Sequence, residues 1–431
     1  MTREEILELI EEEGVEFIRL QFTDVFGILK NFAVTTGQLE NVFKNKCSFE
    51  GSAIFGERYE LDDKLFVRPV LDSFTLLPWR PQQAKVAKMV CDVCTEDGTP
   101  YPASSRYILK KNLKKAEASG YSFLVDPENE FFLFHMDENG LPTTNSHEKA
   151  GYLDVGPMDF GENARREIVL SLEEMGFEVE SSHHESAPAQ HEIDFKEADA
   201  LTTADAIQTF RFAVRSIAKR FGLYATFMPK PKTKEPGSGM HLNITMMKDG
   251  HNVFYHHSVK EVSQEAYWFI GGILRHGKAL SAIANPTVNS YKRLLAGFQA
   301  PDRLVWASKG EKAFVKLKTY PDDAKIELRF PDGSANPYLV IAACIAAGLD
   351  GIKNQIDPGE DASFNKDLFK TGEPVADNLR EALQELKKDA VLIDALGEEF
   401  VEIFCEIKNR EWKEFMSSVS KWEVERYLIK I

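Results

Sequence analysis

Five glutamates and one histidine are spaced so that they could gather around paired metal ions. They sit in five stretches: Asp126-Pro127-Glu128-Asn129-Glu130 ahead of Phe131-Phe132-Leu133-Phe134, His183-His184-Glu185, Gln190-His191-Glu192-Ile193-Asp194, Gly237-Ser238-Gly239-Met240-His241, and Lys325-Ile326-Glu327-Leu328-Arg329. Most of these alternate apolar and polar residues, which predicts strands. Residues i and i+2 of a strand share a face, so Glu128 aims with Glu130 and Glu327 with Arg329. Carboxylates gathered on one concave face repel one another unless cations sit between them. Hard oxygen donors with one imidazole suit Mg²⁺ or Mn²⁺ better than a soft metal. The chemistry implied is phosphoryl transfer at a two-metal site.

The elements that must position these residues can be read along the chain. A short acidic helix is expected over 4–13 and strand-like runs over 15–34 and 64–94, giving a small β-rich domain over residues 1–100. Asp97-Gly98-Thr99-Pro100-Tyr101-Pro102 is turn chemistry and marks the boundary to a large domain, 101–431. There, helices are predicted over 104–119, 161–176, 203–221, 261–283, 336–355 and 376–418, the last broken. Strands are predicted over 121–126, 129–135, 177–184, 190–195, 223–228, 240–247, 313–318 and 324–330, with 357–375 a loop. The mixture predicts an α+β fold whose sheet carries the acids on one face.

Bulk properties narrow the function further. A chain of 431 residues can build two domains and a large core. Its net charge of −16 leaves no broad basic field, which argues against a nucleic-acid partner. The longest apolar run, Leu339 to Leu349, is about half a membrane span and reads as a core helix, so no membrane partner is expected. Met1-Thr2-Arg3-Glu4-Glu5 lacks an apolar signal region. The five scattered cysteines suit a reducing compartment, so a cytoplasmic protein is expected. Cys91 and Cys94 form a lone CxxC, but an offset of three puts them on opposite faces of a strand, and they read as small core residues.

Longer motifs carry a resemblance. Arg19-Leu20-Gln21-Phe22-Thr23-Asp24, Gly161-Glu162-Asn163, Ser182-His183-His184-Glu185 through Phe195 and Thr226-Phe227-Met228-Pro229-Lys230-Pro231 occur in this order. Asn285-Pro286-Thr287-Val288-Asn289-Ser290-Tyr291-Lys292-Arg293 and Ala335-Asn336-Pro337-Tyr338-Leu339 follow them. On these, the chain resembles the bacterial type I glutamine synthetase family in its short form, nearly end to end. The resemblance implies a β-grasp-like N-terminal domain before a large catalytic domain with a curved antiparallel sheet. It also implies a ring-shaped homo-oligomer, dodecameric in the family, in which one subunit's small domain closes its neighbour's site. Glu130, Glu185 and Glu192 would hold one metal ion, and Glu128, His241 and Glu327 a second. No metal role transfers to His183 or His184, which read as hydrogen-bonded structural histidines. Arg293 and Arg329 would grip the amino acid and the transferring phosphate, and Gly237 would let backbone approach the substrate. Phe227, Asn243 and Thr245 would meet ATP, although an aromatic near a strand end is more often plain core.

The departures from the family's pattern matter as much. Glu50-Gly51-Ser52 stands where the family has an Asp-Gly-Ser loop that receives ammonium. Gln299 replaces a flap Glu that helps deprotonate it, and Gln cannot be a base at neutral pH. Pro236 replaces an Asn before Gly-Ser-Gly-Met-His, and Phe369 falls where enteric relatives carry an adenylylated tyrosine. Glu311 replaces a transition-state arginine. Lys316 and Lys325 replace two further arginines near the nucleotide, keeping the charge but losing the planar fork. The expected activity is an ATP-dependent ligase joining glutamate to ammonia. Two alternatives stay open: an organic amine as acceptor, giving a γ-glutamylamide, and a catalytically weak regulatory or structural relative. A metal-dependent hydrolase would explain the acids but not Arg293, Arg329 and the nucleotide segment.

Overall fold

The computed structural model describes residues 1–56, 59–61, 63–429 and 431. The helix expected over 4–13 is Arg3–Glu13. Thr2 and Glu5 exchange side-chain and backbone hydrogen bonds in a capping box, and Gly14 ends the helix at φ 65°. The strand-like runs then resolve into β1 (Val15–Thr23), β2 (Leu29–Thr35), β3 (Ser48–Glu50), β4 (Lys64–Pro69), β5 (Thr75–Leu76) and β6 (Lys85–Cys94). The first run divides because Asp24 accepts from the backbone N–H groups of Phe26 and Ile28, which closes a turn between β1 and β2. The sheet order is β2-β1-β6-β4-β3, with β5 also on β6, and β1 runs parallel to β6. Cys91 and Cys94 are free and buried on β6, as small core residues should be.

The second sheet carries the acids. Its strands are β7 (Ser122–His135), β8 (Val179–His184), β9 (Gln190–Phe195), β10 (Ala198–Asp199), β11 (Leu223–Thr226), β12 (Met240–Lys248) and β13 (His251–Asn252). After a separate ribbon of β14 (Tyr255–His256) and β15 (Glu261–Val262), it adds β16 (Trp306–Ala307), β17 (Val315–Tyr320) and β18 (Asp323–Leu328). The order is β16-β17-β18-β12-β7-β9-β8, antiparallel except for β16 with β17, while β10 and β11 pair with β7 and β13 with β12. The two strands expected over 121–126 and 129–135 are one. Pro127 does not break β7, because it lies where the partner on one side changes from β10, at Leu124 and Val125, to β9, from Glu128 onward. A residue without an N–H is tolerated at such a gap in the ladder.

The helices back this sheet. The expected helix over 261–283 is two, Gln264–Arg275 and Gly277–Ala284, separated at His276, whose ring is bonded to Asp389 and Asp350. The C-terminal stretch gives Leu379–Leu386, Ala390–Leu396 and Glu398–Ser417, with Asn378 and Asp389 capping the first two. A short helix, Leu368–Thr371, interrupts the expected loop. No described helix is long and apolar enough to cross a membrane. Arg106 pairs with Asp92 of β6 and with Asp205, and Asn336 donates to Asp24 O at 3.0 Å, tying the two sheets' units together.

Helix Gln264–Arg275 meets helix Pro337–Asn354 backbone to backbone. A β-carbon at Gly272 would lie 2.1 Å from Ala347 O, and one at Gly351 2.1 Å from Trp268 O. Gly272→Leu or Gly351→Leu should therefore lower the thermal unfolding midpoint, at the upper end of the roughly 1–3 kcal/mol typical of overpacking. Gly37→Ala, in open space, should stay within about 0.5 kcal/mol of the parent. Equal midpoints for all of these in parallel circular dichroism melts would show that the helices can separate there.

Candidate functional site

Strand register brings the acids together before any ligand is considered. Glu130 lies opposite Glu192, and Glu192 opposite His183. His241 lies opposite Glu128, and Glu128 opposite Asp194. Glu327 lies opposite both Asn243 and Lys316, and Asn243 opposite Asp126. Directly opposed residues of an antiparallel sheet share a face, so these rows from six strands crowd onto one side. A cavity of about 140 Å³ opens over them, lined among others by Glu130, Glu185, His241, Arg293, Gln299 and Arg329. A larger cavity of about 470 Å³ lies between the two units around Lys88, Arg106 and Asp205. There Lys88 is bonded to Thr209 and Arg106 to Asp205, and among the described residues its lining carboxylates form no group that could hold a metal ion, so the chemistry belongs to the smaller cavity.

Three groups of potential metal ligands occur among the described residues: Glu148, Asp159, His184 and His191 form a buried one in which Arg165 already bonds Asp159 and His191, and two others lie on the acid face. In the first of these two, His183, Glu185 and Glu192 present ligand atoms within 4.8 Å of one another. Glu185 meets His183 Nε2 at 3.1 Å and accepts from Ser186 N at 2.8 Å. Glu130 lies alongside, its Oε2 accepting from Gln190 Nε2 and Gly239 N, each at 2.8 Å. Burial, compounded by the carboxylates of Asp194, Glu130, Glu185 and Glu128, pushes Glu192 up to about 11. Burial also raises Glu130, and takes Asp194 to about 6. Among the described residues no Lys or Arg lies within ion-pair distance of Glu130, Glu185 or Glu192. Burial opposes ionisation of Glu185, but hydrogen bonds from His183 and Ser186 overcome it and hold the carboxyl below the usual range. The group fits a hard divalent cation: oxygen donors without a close counter-charge, with Glu130 and Glu192 raised for want of one. His183 is the residue that sequence reasoning set aside; its place opposite Glu192, two residues before Glu185, brings it to the cluster.

The second group is Glu128, His241 and Glu327, again within 4.8 Å. His241 Nδ1 is 3.1 Å from Glu128 Oε2 and 3.8 Å from Glu327 Oε1. Here the counter-charge is already present. Lys318 Nζ lies 2.7 Å from Glu128 Oε1 and 3.2 Å from Glu327 Oε2. Burial opposes ionisation of Glu128, but His241 and Lys318 overcome it and hold the carboxyl well below the usual range. The donor types suit a metal ion; the space among them holds an ammonium. Lys318 was not singled out from sequence, because a lysine on a strand reads as a solvated residue until the strand's partners are known.

The basic residues divide in the same way. Arg293 is buried, with Nη1 donating to Phe330 O at 2.9 Å and Nη2 to Arg329 O at 3.1 Å. Among the described residues no carboxylate lies within ion-pair distance of it, so its fork is oriented but its charge is unpaired. Arg329 is engaged: it contacts Glu327 and meets Glu311 Oε2 at 2.9 Å. Glu311 also takes Lys316 Nζ at 2.7 Å, and these cations hold its carboxyl below the usual range against burial. Lys325 is shared by Asp126 at 3.0 Å and Glu197 at 2.8 Å.

The remaining sequence-predicted residues fall in different places. Gln299 lines the cavity. Gly237 lines it too, and a β-carbon there would lie 2.1 Å from Pro229 O, so its size answers first to a neighbouring loop. Asn243 donates to Asp126 and Glu128, and Thr245 Oγ1 is buried without a hydrogen-bond partner. The Phe227 ring is buried against Phe131 and Phe210, with Arg211 and Arg215 over it, so the ring itself presents no face to a base. Glu50 is exposed on β3 and does not line the cavity of its own chain. His184 is buried and bonded to Glu148 at 2.9 Å, the structural role expected of it.

Comparison with known proteins accords with this geometry. The family described as "Glutamine synthetase, beta-Grasp domain" matches residues 14–96, and "Glutamine synthetase, catalytic domain" matches residues 102–427. A glutamine synthetase of Clostridium saccharobutylicum is 48% identical over 440 residues, covering 100% of this chain and 99% of that protein. One from Thermus thermophilus is 42% identical over 440 residues, covering 99% of each. Among solved structures, a GmaS/ADP complex superposes with a TM-score of 0.89 at 33% identity, covering 98% of this chain and 99% of that one. GmaS without ligand gives 0.87 at 33% identity, covering 97% and 98%. The fold is thus a β-grasp domain joined to a large α+β catalytic domain with a curled sheet, and the chain belongs to the glutamine synthetase family.

Proposed function

We propose that this protein is an ATP-dependent ligase that phosphorylates the side-chain carboxylate of glutamate and joins it to ammonia. The observation that carries the reading is the juxtaposition in one cavity of unbalanced carboxylates (Glu130, Glu185) with an oriented, unpaired arginine (Arg293). Such a place accepts a cation and an anion together, as a metal–nucleotide with a carboxylate acceptor requires. The relatives' name and the ADP bound by GmaS support the same substrates.

In the reaction, an oxygen of the glutamate side chain attacks the γ-phosphorus of ATP and ADP leaves. The amine nitrogen then attacks the acyl phosphate carbon, phosphate leaves, and the nitrogen loses a proton. Glu130, Glu185 and Glu192, with His183 beside them, would hold Mg²⁺ or Mn²⁺. That ion, when bound, neutralises phosphate charge. Arg293 offers its fork to the carboxylate or the transferring phosphate. Arg329, Lys316 and Lys325 would meet an anion only by exchanging their present carboxylate partners for it. Asn243 and Thr245 face the same side of β12 and would border the nucleotide. All five cysteines are free, which fits a reducing cytoplasm, where we place the reaction.

The residue that takes the nitrogen's proton would come from another subunit. Gln299 is at the cavity but cannot act as a base. Glu50, exposed and away from its own cavity, would complete a neighbour's site in a closed ring. Exposed apolar residues on the loop around Tyr152, Leu153 and Val155 and on the C-terminal segment around Trp422, Leu428 and Ile429 are surfaces that such a ring would cover. Light scattering under assay conditions should therefore show a large oligomer, and a monomer with full activity would rule out the shared site. Gln299 favours one second reading, an organic amine as acceptor with a γ-glutamylamide as product.

Product analysis with glutamate, ATP and either ammonium, hydroxylamine, alkylamines or polyamines separates these readings. Glutamine formation should be weak at neutral pH and rise as free ammonia increases. Gln299→Glu should raise it by up to about 10²–10⁴, the usual worth of a general base. Glutamine formation by the parent at the rate of its relatives would remove the role given to Gln299. Absence of ATP cleavage with every amine, even after Glu311→Arg, would favour a non-catalytic relative. Separately, Glu192→Gln should abolish Mg²⁺-dependent nucleotide binding with the circular dichroism spectrum unchanged; retained binding would move the metal elsewhere.

A further inference from the structure

Lys318 lies where the second of two paired metal ions would have to sit. Its strand, β17, alternates buried Val315 and Leu317 with Lys316 and Lys318, so both lysines stand on the carboxylate face. The ammonium is within hydrogen-bonding distance of one oxygen of Glu128 and one of Glu327, at 2.7 and 3.2 Å, while His241 Nδ1 approaches the other oxygen of each. The Glu327 side chain is fully buried and also contacts Arg329. Two carboxylates there face two full positive charges, Lys318 and Arg329, with His241 beside them. Across the sheet, Glu130, Glu185 and Glu192 have no Lys or Arg within ion-pair distance among the described residues, and Arg293 acts on Glu130 only from further away. A divalent ion entering the first group relieves repulsion. One entering the second would come within a few ångströms of an ammonium, and like charges so close in a partly buried site repel strongly.

We propose that Lys318 is a built-in substitute for the second metal ion, so that each chain takes a divalent cation at the Glu130, Glu185 and Glu192 position alone. The inference rests on the metal-dependent reading of that first position, and it deepens it. A lysine supplies one positive charge and hydrogen bonds, without coordination. The second half of the site is therefore assembled in the absence of metal and does not depend on metal supply.

The test is stoichiometry on the full-length, nucleotide-free oligomer, read by calorimetric titration with Mn²⁺ and by the electron paramagnetic resonance spectrum of the bound ion. The parent should bind one Mn²⁺ per chain and show no spin-coupled pair. Lys318→Met, which keeps the length of the side chain without its charge, should bind two and show coupling; Lys318→Gln should do likewise. In Lys318→Met combined with Glu192→Gln, one ion should remain, now at the Glu128, His241 and Glu327 position. Light scattering and circular dichroism matched to the parent establish that each variant is folded. Two coupled ions in the parent overturn the proposal, because the lysine would then simply swing aside. One ion in the parent and still one in both Lys318 variants overturns it as well, since Lys318 would not be what excludes the second. No ion in the parent but one in Lys318→Met upholds the role of Lys318 and sinks the reading of the first position. No ion in any variant sinks both.

Discussion

Repulsion among carboxylates on one sheet face is the constraint on which the rest of this molecule turns. Glu128, Glu130, Glu192, Asp194 and Glu327 come from strands within one ladder, β18-β12-β7-β9, and cannot move apart without breaking it. A buried carboxylate has three ways to be tolerated: a proton, a cation from the protein, or a cation from solution. Both halves of the face have the same kind of donors and meet the constraint differently. Around Glu128 and Glu327 the protein supplies Lys318, His241 and Arg329. Around Glu192 it supplies His183 at 3.8 Å and little else, so the carboxyl keeps its proton to unusually high pH.

The scaffold that imposes this is stiff. β7 runs unbroken for fourteen residues and contributes Asp126, Glu128 and Glu130 on one face, with Val125, Pro127, Asn129 and Phe131 buried beneath. Behind the sheet, helices in backbone contact at Gly272 and Gly351 leave no slack for the strands to separate. Close packing of this kind transmits a local change as strain and does not absorb it. The charges are therefore held at set distances, and the cavity above them is small.

The acidic side chain of Glu311 is accommodated locally. The carboxylate is taken up by Lys316 and Arg329, so no isolated acid is left facing the cavity. The consequence is that Arg329 already meets two carboxylates while Arg293, held by two carbonyl oxygens, meets none. Arg293 is thus oriented toward an incoming anion with no carboxylate within ion-pair distance among the described residues.

The family, the α+β class and most elements were legible in the sequence, because long motifs and the two hydrophobic periods are local properties. So was the placing of Glu128, Glu130, Glu192, His241 and Glu327 on one sheet face. Where local signals misled, a partner at a distance decided. Pro127 looked like a break until the change of partner strand made room for it. His276 interrupts a run that reads as one helix because Asp389 and Asp350 hold its ring. Phe227, expected near the nucleotide though an aromatic there is more often core, has its ring enclosed by Phe131 and Phe210. The sequence by itself determined which residue types are present and which strand face each would take. Only the tertiary structure decided which charges are paired. Lys318 and Glu128 are 190 residues apart, and Coulomb energy depends on distance in space, which no spacing along the chain reveals.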